Sequence, residues 1–328
     1  MATLNSSSAN PSYADIAKRL DPDGKIDQII ELLEEDNPFI QDAVVIEANQ
    51  ATAHRTTVRS GLPAATWRLL NYGVSNSKSR TVQVQDSIGM LEAYAEVDKA
   101  LADLNGNTAS FRLSEDKAFL ESMTQEIEDT LFYGNTASAP EEFIGLAPRY
   151  NSLSADSGAN IIDAGGTGSD NMSIWFVTWG ADTTHLIYPK GTIAGWQHND
   201  LGEHTLEDAA GGQYQGYRTH YKWDVGLTLR DWRYSARVCN IDVSNLTGGS
   251  YTTLIKDMTK AMYKLHKIKS GLRIYTNRTG ATYLDILAQD KTNVNLTYRE
   301  FAGKPVTTFR GIPVRVTDAL LETEARIT

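Results

Sequence analysis

Apolar positions recur at several different periods along this 328-residue chain. From Lys25 to about Asp36 the set Ile26, Ile29, Ile30 and Leu33 follows i, i+3, i+4, i+7, the pattern of an amphipathic helix. Asn37-Pro38 ends it, because the residue before a proline is pushed out of the α region. The strongest predicted helix runs from Ser114 to Tyr133, with Phe119, Met123, Ile127 and Leu131 as an i, i+4 stripe. Ser114 is its expected N-cap, Glu115 and Asp116 suit the positive end of the dipole, and Gly134 is the expected C′ residue. A further helix is predicted over 251–269. Leu254, Ile255, Met258, Met262, Leu265 and Ile268 form its apolar side, and Lys256, Lys260, Lys264 and Lys267 lie along another. Thr279 to about Leu287 reads as a short helix, and residues 1–24, rich in Ser, Asn, Asp and Pro, as an extended arm.

Other stretches alternate. Residues 43–96 read as one long hairpin: Ala43-Val44-Val45-Ile46 starts it, and Arg55-Thr56-Thr57-Val58-Arg59 continues it. Val82, Val84, Ile88 and Met90 return on one face, with Gln83 and Gln85 on the other. Arms of about 15 residues would reach roughly 50 Å at about 3.3 Å per residue. A compact chain of this length has a radius of gyration of only about 20 Å. With little apolar content expected, such a hairpin should lie on a neighbour; the alternative is two ordinary strands across an irregular loop. Ser173 to Trp179 is a buried-strand run and His185 to Tyr188 a second strand, whereas glycine-rich 195–216 reads as mostly loop. Val225, Leu227 and Leu229 share one parity, and Trp232, Tyr234, Ala236 and Val238 the other. The slip near Arg230-Asp231 is a bulge or a turn. Leu272 to Tyr275 is a strand. Phe309 to Val316 is a last strand, with Pro313 near its start favouring a sheet edge. Helices and strands interleave without a βαβ rhythm, so the fold class is α+β.

Composition narrows the function. The chain is 41% hydrophobic and 22% charged, which excludes wholesale disorder. It holds no run of about 18 apolar residues, so no membrane helix is expected. The first residues lack a basic stretch followed by an apolar one, so no secretory signal and a cytoplasmic place of synthesis are expected. Cys239 stands alone, which rules out an internal disulfide or a cysteine-based zinc site. The formal charge of −10 is unevenly spread. Residues 1–50 carry net −7, residues 51–80 net +5, residues 81–142 net −10 and the remainder net +2. The carboxylate-free middle block holds Arg55, Arg59, Arg68, Lys78 and Arg80. One reading is a solvated loop; the other is a basic projection that docks on an acidic surface of a second copy.

Catalytic patterns are wanting. There is no G-x-S-x-G elbow and no phosphate-binding G-x-x-x-x-G-K-[ST] loop, and Gly165 to Asp170 precedes a strand instead of following one. His198, Asp200, Glu203 and His204 would need three or four donors to converge for a metal, and Gly202 breaks any helix that could align them. His220, Lys222, Asp224, Arg230, Asp231 and Arg233 fit ion pairs on a strand face better than acid–base pairs. Cys239 fits a small core residue. Neither cofactor nor metal is expected. The competing class is a cytoplasmic carbohydrate- or nucleotide-processing enzyme with a cleft in the 175–233 region.

Three strings carry a resemblance. Ser173-Ile-Trp-Phe-Val-Thr-Trp-Gly-Ala-Asp-Thr-Thr-His-Leu-Ile-Tyr-Pro-Lys-Gly191, Tyr217-Arg-Thr-His-Tyr-Lys-Trp-Asp-Val-Gly-Leu-Thr-Leu-Arg-Asp-Trp-Arg233 and Phe309-Arg-Gly-Ile-Pro-Val-Arg-Val-Thr-Asp-Ala319 resemble, in order and spacing, segments of the major capsid proteins of short-tailed double-stranded DNA bacteriophages. The resemblance spans nearly the whole chain. It implies a Hong Kong 97-like capsid fold, with topology that can be permuted between members. It also implies an N-terminal arm over 1–42, an extended-loop hairpin over 43–96 and a peripheral domain over 97–145 with its spine helix at 114–133. A mainly axial domain over 146–300 and a C-terminal strand over 301–328 returning to the peripheral domain complete the expectation. The implied function is self-assembly into pentamers and hexamers of an icosahedral head. That head would enclose double-stranded DNA without reading its sequence. Scaffolding, portal and decoration proteins are the implied partners, the host bacterial cytoplasm the place of assembly, and the virion the final location. No Lys–Asn crosslink is assigned.

Overall fold

The computed structural model describes residues 38–103, 108–208, 210–246, 252–289, 296–301 and 304–328. The arm expected over 1–24 and the helix expected over 25–36 lie outside them. In chain order the first elements are α1 (Phe39–Asp42), β1 (Val45–Glu47), β2 (Ala53–Gly61), β3 (Arg80–Ser87), β4 (Gly89–Asp98), α2 (Lys99–Ala102) and α3 (Thr108–Tyr133). Then follow β5 (Ile161–Asp163), β6 (Asn171–Thr178), β7 (Thr184–Tyr188), β8 (Gln197–Glu207), β9 (Gln213–Leu229) and β10 (Ala236–Asp242). The last are α4 (Val243–Asn245), α5 (Thr252–Lys264), β11 (Leu272–Thr276), α6 (Arg278–Gln289), β12 (Leu296–Phe301), β13 (Lys304–Phe309) and β14 (Ile312–Val316). The described residues divide into two compact units, each discontinuous in sequence: those within 90–128 and 195–224, and those within 38–89, 129–194 and 225–328.

The larger unit is organised by a seven-stranded sheet in the order β12-β13-β14-β11-β6-β10-β5. Its inner strand β6, between β11 and β10, is buried at every position, as a strand covered on both faces must be. On one face Met172, Ile174 and Phe176 join Ala236, Val238, Leu272 and Ile274. Against them pack Leu254, Ile255, Met258, Ala261 and Met262 of α5, and Leu284 and Leu287 of α6. The i, i+3, i+4 spacing of these residues turns one side of each helix onto the sheet. The bulge between Val238 and Ile241, with Asn240 at φ 55°, resets the alternation so that Ile241 also reaches this core.

The other face is aromatic and charged. Trp175 packs against Phe132 and Tyr150, and Arg237 lies 4.8 Å over its ring. Arg237 donates to Glu324 Oε2 at 2.9 Å, to Ser173 Oγ at 3.0 Å and to the Tyr150 carbonyl at 2.9 Å. Glu324 also accepts from Ser173 Oγ and from Tyr133 Oη at 2.6 Å. Both ionic side chains are about as buried as a core leucine, at 4% and 5% exposure. The C-terminal segment is thereby held on the sheet, with Asn240 making hydrogen bonds to Ile327 in both directions.

Several elements differ from their sequence expectation. The long helix starts at Thr108, not Ser114; no breaker lies in 108–113, and Arg112 anchors the added turn by pairing with Asp200 at 2.7 Å and stacking over Tyr217. Helix α5 stops at Lys264 because the backbone leaves the helix to donate from His266 to the Arg233 carbonyl, so Lys267 and Ile268 lie beyond it. Residues 197–207 are an eleven-residue strand, not loop. Gly202, at φ 73°, sits in the register shift after Asp200, so a glycine read as a breaker is the bulge of a polar ribbon paired with β9. The slip at Arg230-Asp231 is a turn, with Trp232–Tyr234 in a 3-10 turn rather than a strand. The expected last strand breaks at Arg310-Gly311, both at positive φ, into the β13–β14 hairpin. Pro313 is not at a sheet edge: β14 lies between β13 and β11. It is tolerated because the parallel ladder with β11 begins only at Val314.

The smaller unit combines the antiparallel β8–β9 ribbon, β4, α2 and the first part of α3. Ala95, Met123 and Tyr221 form one apolar cluster with Phe119 and Trp196, and Val97, Leu101 and Ala102 form another with Tyr217. Charged residues of β4 and β9 pair across it: Glu96 with Arg218, and Glu92 with His220 at 3.2 Å and Lys222 at 3.4 Å.

The buried pair makes a direct prediction. Glu324→Leu leaves the Arg237 guanidinium buried and uncompensated and should cost about 3–5 kcal/mol. The double variant Glu324→Leu, Arg237→Met should recover most of that loss in equilibrium denaturation. Equal losses in the two would show that the pair is not the unit that matters.

Candidate functional site

The feature of the larger unit that its own core does not explain is the β2–β3 hairpin. Its strands pair from Ala53↔Ser87 to Arg59↔Thr81. The hairpin therefore spans 53–87. Val45–Glu47 forms a separate strand parallel to β7, and β3 ends before Ile88. Each arm has eight or nine residues, so its reach is roughly 30 Å at about 3.3 Å per residue, shorter than the sequence suggested.

Antiparallel pairing places directly opposed residues on one face. Arg55, Thr57 and Arg59 therefore share a polar face with Gln85, Gln83 and Thr81. Thr56 and Val58 share the other with Val84 and Val82. The five basic residues proposed as contacts fall in two groups. Arg55 and Arg59 lie on the polar face and Arg80 at the end of the ladder, whereas Arg68 and Lys78 belong to the tip. All five are exposed, and among the described residues none forms an ion pair. The Arg55 guanidinium donates to Gln85 Oε1 at 3.1 Å.

The tip is far from apolar-poor. Trp67 is fully exposed, and Leu62, Leu69, Leu70 and Tyr72 are each at least two-thirds exposed. Turn residues drew the sequence reading away from them. The signal that would have found them was a cluster of large apolar side chains in a stretch with no partner strand. A turn with Asn71 at φ 69° closes Leu69 to Tyr72 through a backbone hydrogen bond, and Ser77 Oγ donates to the Ala64 carbonyl. So many large apolar groups together in solvent mark an interaction surface.

Of the two acidic blocks, that over 1–50 lies mostly outside the described residues, and that over 81–142 is partly engaged. Within 81–142, Asp86 pairs with Arg149, Glu92 with His220 and Lys222, Glu96 with Arg218, and Asp98 caps the Ala100 amide. These carboxylates are engaged inside their own units.

The other sequence candidates resolve as structure. His198 and His204 lie on β8, with His198 against the Tyr221 ring, and no metal-holding group exists among the described residues. Lys222 bridges Glu92 and Asp224, and Arg233 pairs with Asp231 at 2.7 Å. Burial pushes the Cys239 thiol up to about 12, which leaves it an inert core group. No described helix is long and apolar enough to cross a membrane.

An α+β body with a long, exposed hairpin fits the expectation of a shell subunit, and comparison with known proteins establishes the class. The family model described as major capsid protein GP7 matches residues 21–328. A chain in the cryo-EM structure of bacteriophage Epsilon15 is 41% identical, with both chains covered in full and a TM-score of 0.76. The capsid of bacteriophage JBD30 (9% identity, 88% of this chain and 92% of that one, TM-score 0.49) and the SrpI encapsulin of Synechococcus elongatus PCC 7942 (9%, 69% and 95%, 0.46) are remote likenesses that add nothing to the assignment. No curated protein matches. The fold is that of Hong Kong 97-like capsids, and the chain is a structural protein of the phage virion, not an enzyme. It belongs to the GP7 family of phage major capsid proteins.

If the tip is unsupported by its own chain, Trp67→Ala should change the folding stability of the unassembled subunit by no more than about 0.5 kcal/mol. A larger loss in equilibrium denaturation would mean that the tip packs on its own body.

Proposed function

We propose that the 53–87 hairpin is the extended loop by which each copy grips the next. Pentamers and hexamers so formed would tile an icosahedral head around double-stranded DNA without reading its sequence. The observation that carries this is the tip: Leu62, Trp67, Leu69, Leu70 and Tyr72 stand in solvent within the carboxylate-free stretch 51–80. A closed shell needs contacts in which one patch meets a different patch on the next copy. Exposed ion pairs from Arg55, Arg59, Arg68, Lys78 and Arg80 would each contribute about 0–1 kcal/mol. Burying a leucine-sized apolar side chain contributes about 1.5–3 kcal/mol. The apolar tip therefore dominates the strength of the contact, and the basic residues set its orientation.

The domain plan belongs to this proposal: an arm over 1–42, the extended loop within 43–96, a peripheral region over 97–145, a mainly axial region over 146–300, and a C-terminal strand over 301–328. Scaffolding, portal and decoration proteins would be its partners, with assembly in the host bacterial cytoplasm.

Two variants test it. Trp67→Ser with Leu70→Ser should abolish closed particles in electron micrographs while leaving a folded subunit. Arg55→Glu, Arg59→Glu and Arg68→Glu together should at least slow assembly and alter its salt dependence. Normal particles from both would sink the proposal.

A further inference from the structure

At the base of the hairpin, side chains from five separate segments of the larger unit meet. His54 comes from β2, Asp86 from β3, His185 from β7, Thr228 from β9 and Arg149 from the turn at 147–150. His54 and Asp86 are directly opposed in the hairpin ladder, as His185 and Thr228 are in the β7–β9 ladder. The two imidazoles join these ladders edge to face, with ring centroids 5.9 Å apart. Arg149 is the clasp. It donates to Asp86 Oδ1 at 2.9 Å and to the Leu227 carbonyl at 3.0 Å, and also reaches the Gly145 and Ile144 carbonyls.

The arrangement requires neutral imidazoles. The Asn49 backbone N–H donates to His54 Nδ1 at 3.2 Å, so that nitrogen must carry a lone pair. The same Asn49 clamps the start of β2, its side chain exchanging hydrogen bonds with the Arg55 backbone at 2.6 and 2.9 Å. Protonating Nδ1 would set N–H against N–H at this clamp. His185 is buried, and its Nδ1 has no hydrogen-bond partner among the described residues. The charged groups around the pair are mixed: His54 faces His185, Arg230 and Asp86, and His185 faces His54, Arg230 and Asp182. Strand β1 adds Glu47, which is engaged at the far end of β7 with the Gly191 amide.

We propose that this cluster is an acid-operated hinge: protonation of His54 and His185 releases the base of the hairpin from β7 and β9 while the seven-stranded sheet stays closed. Burial, chiefly, and then the charge of Arg230 hold His54 below its ordinary range. Burial, then His54 and Arg230, push His185 down to about 4. A histidine depressed in the closed state takes up its proton on opening. Acid therefore favours the open state as pH falls below about 6.5, by up to about tenfold per pH unit per histidine, until the closed-state value is reached. The hinge is a property of the single chain and stands whether or not the hairpin grips another copy.

Hydrogen–deuterium exchange on the full chain between pH 4.5 and 7.5, corrected for intrinsic exchange rates, tests it. Protection of 53–61 and 80–87 should fall steeply below pH 6.5, while that of 171–178 stays level. His54→Gln and His185→Asn should each flatten the fall. Should His185→Asn fail to fold, the half-buried His54→Gln decides alone. A pH-independent hairpin, or a wild-type slope in the folded variants, overturns the proposal.

Discussion

A guanidinium cannot be left alone inside a protein. Arg237 sits on the seven-stranded sheet of the larger unit, stacked on Trp175, and among the described residues Glu324 is the carboxylate that neutralises it. Glu324 lies in the segment that follows β14. The segment after β14 must therefore return to β6, where the Glu324 amide donates to the Asn171 carbonyl and its carboxylate collects Ser173 and Tyr133. Tyr133 is the last residue of the long helix, so one ion pair fixes together the sheet, the helix end and the C-terminal strap. A second buried carboxylate, Asp42, does comparable work at the β11–β14 side. It accepts from Arg273, Arg315 and Tyr275 and holds α1 in place.

The base of the hairpin is buried against its own unit, but the large apolar side chains of its tip stand in solvent. A head protein can leave apolar groups outside its fold because assembly supplies the cover. Exposed tryptophan and leucine would be a hazard in a monomer, and under the proposed function they mark where the next copy belongs. Of the carboxylates of 81–142, Asp86, Glu92, Glu96 and Asp98 are engaged within their own units.

Periodicity made the α+β class, the long helix and the buried β6 run legible, because each is a local pattern repeated over many residues. The boundary at Thr108 was hidden because it depends on Arg112 meeting Asp200, 88 positions away. Strand β8 was hidden because a polar ribbon has no apolar face to alternate. The glycine that argued against it is its bulge. Arg237 and Glu324 were invisible as a pair, since nothing in a sequence reports that residues 87 apart share one desolvated site. Of the candidate contact surface, the basic residues were found by charge. The apolar tip was missed because Gly, Pro, Asn and Ser around it read as turn.

The central claim is that the hairpin tip is completed by another copy. A cryo-EM map of the assembled head, resolved well enough to place side chains, tests it most directly. The account predicts Trp67, Leu69 and Leu70 buried against a neighbouring subunit. A tip folded back on its own chain, or still in solvent within the closed shell, would contradict it.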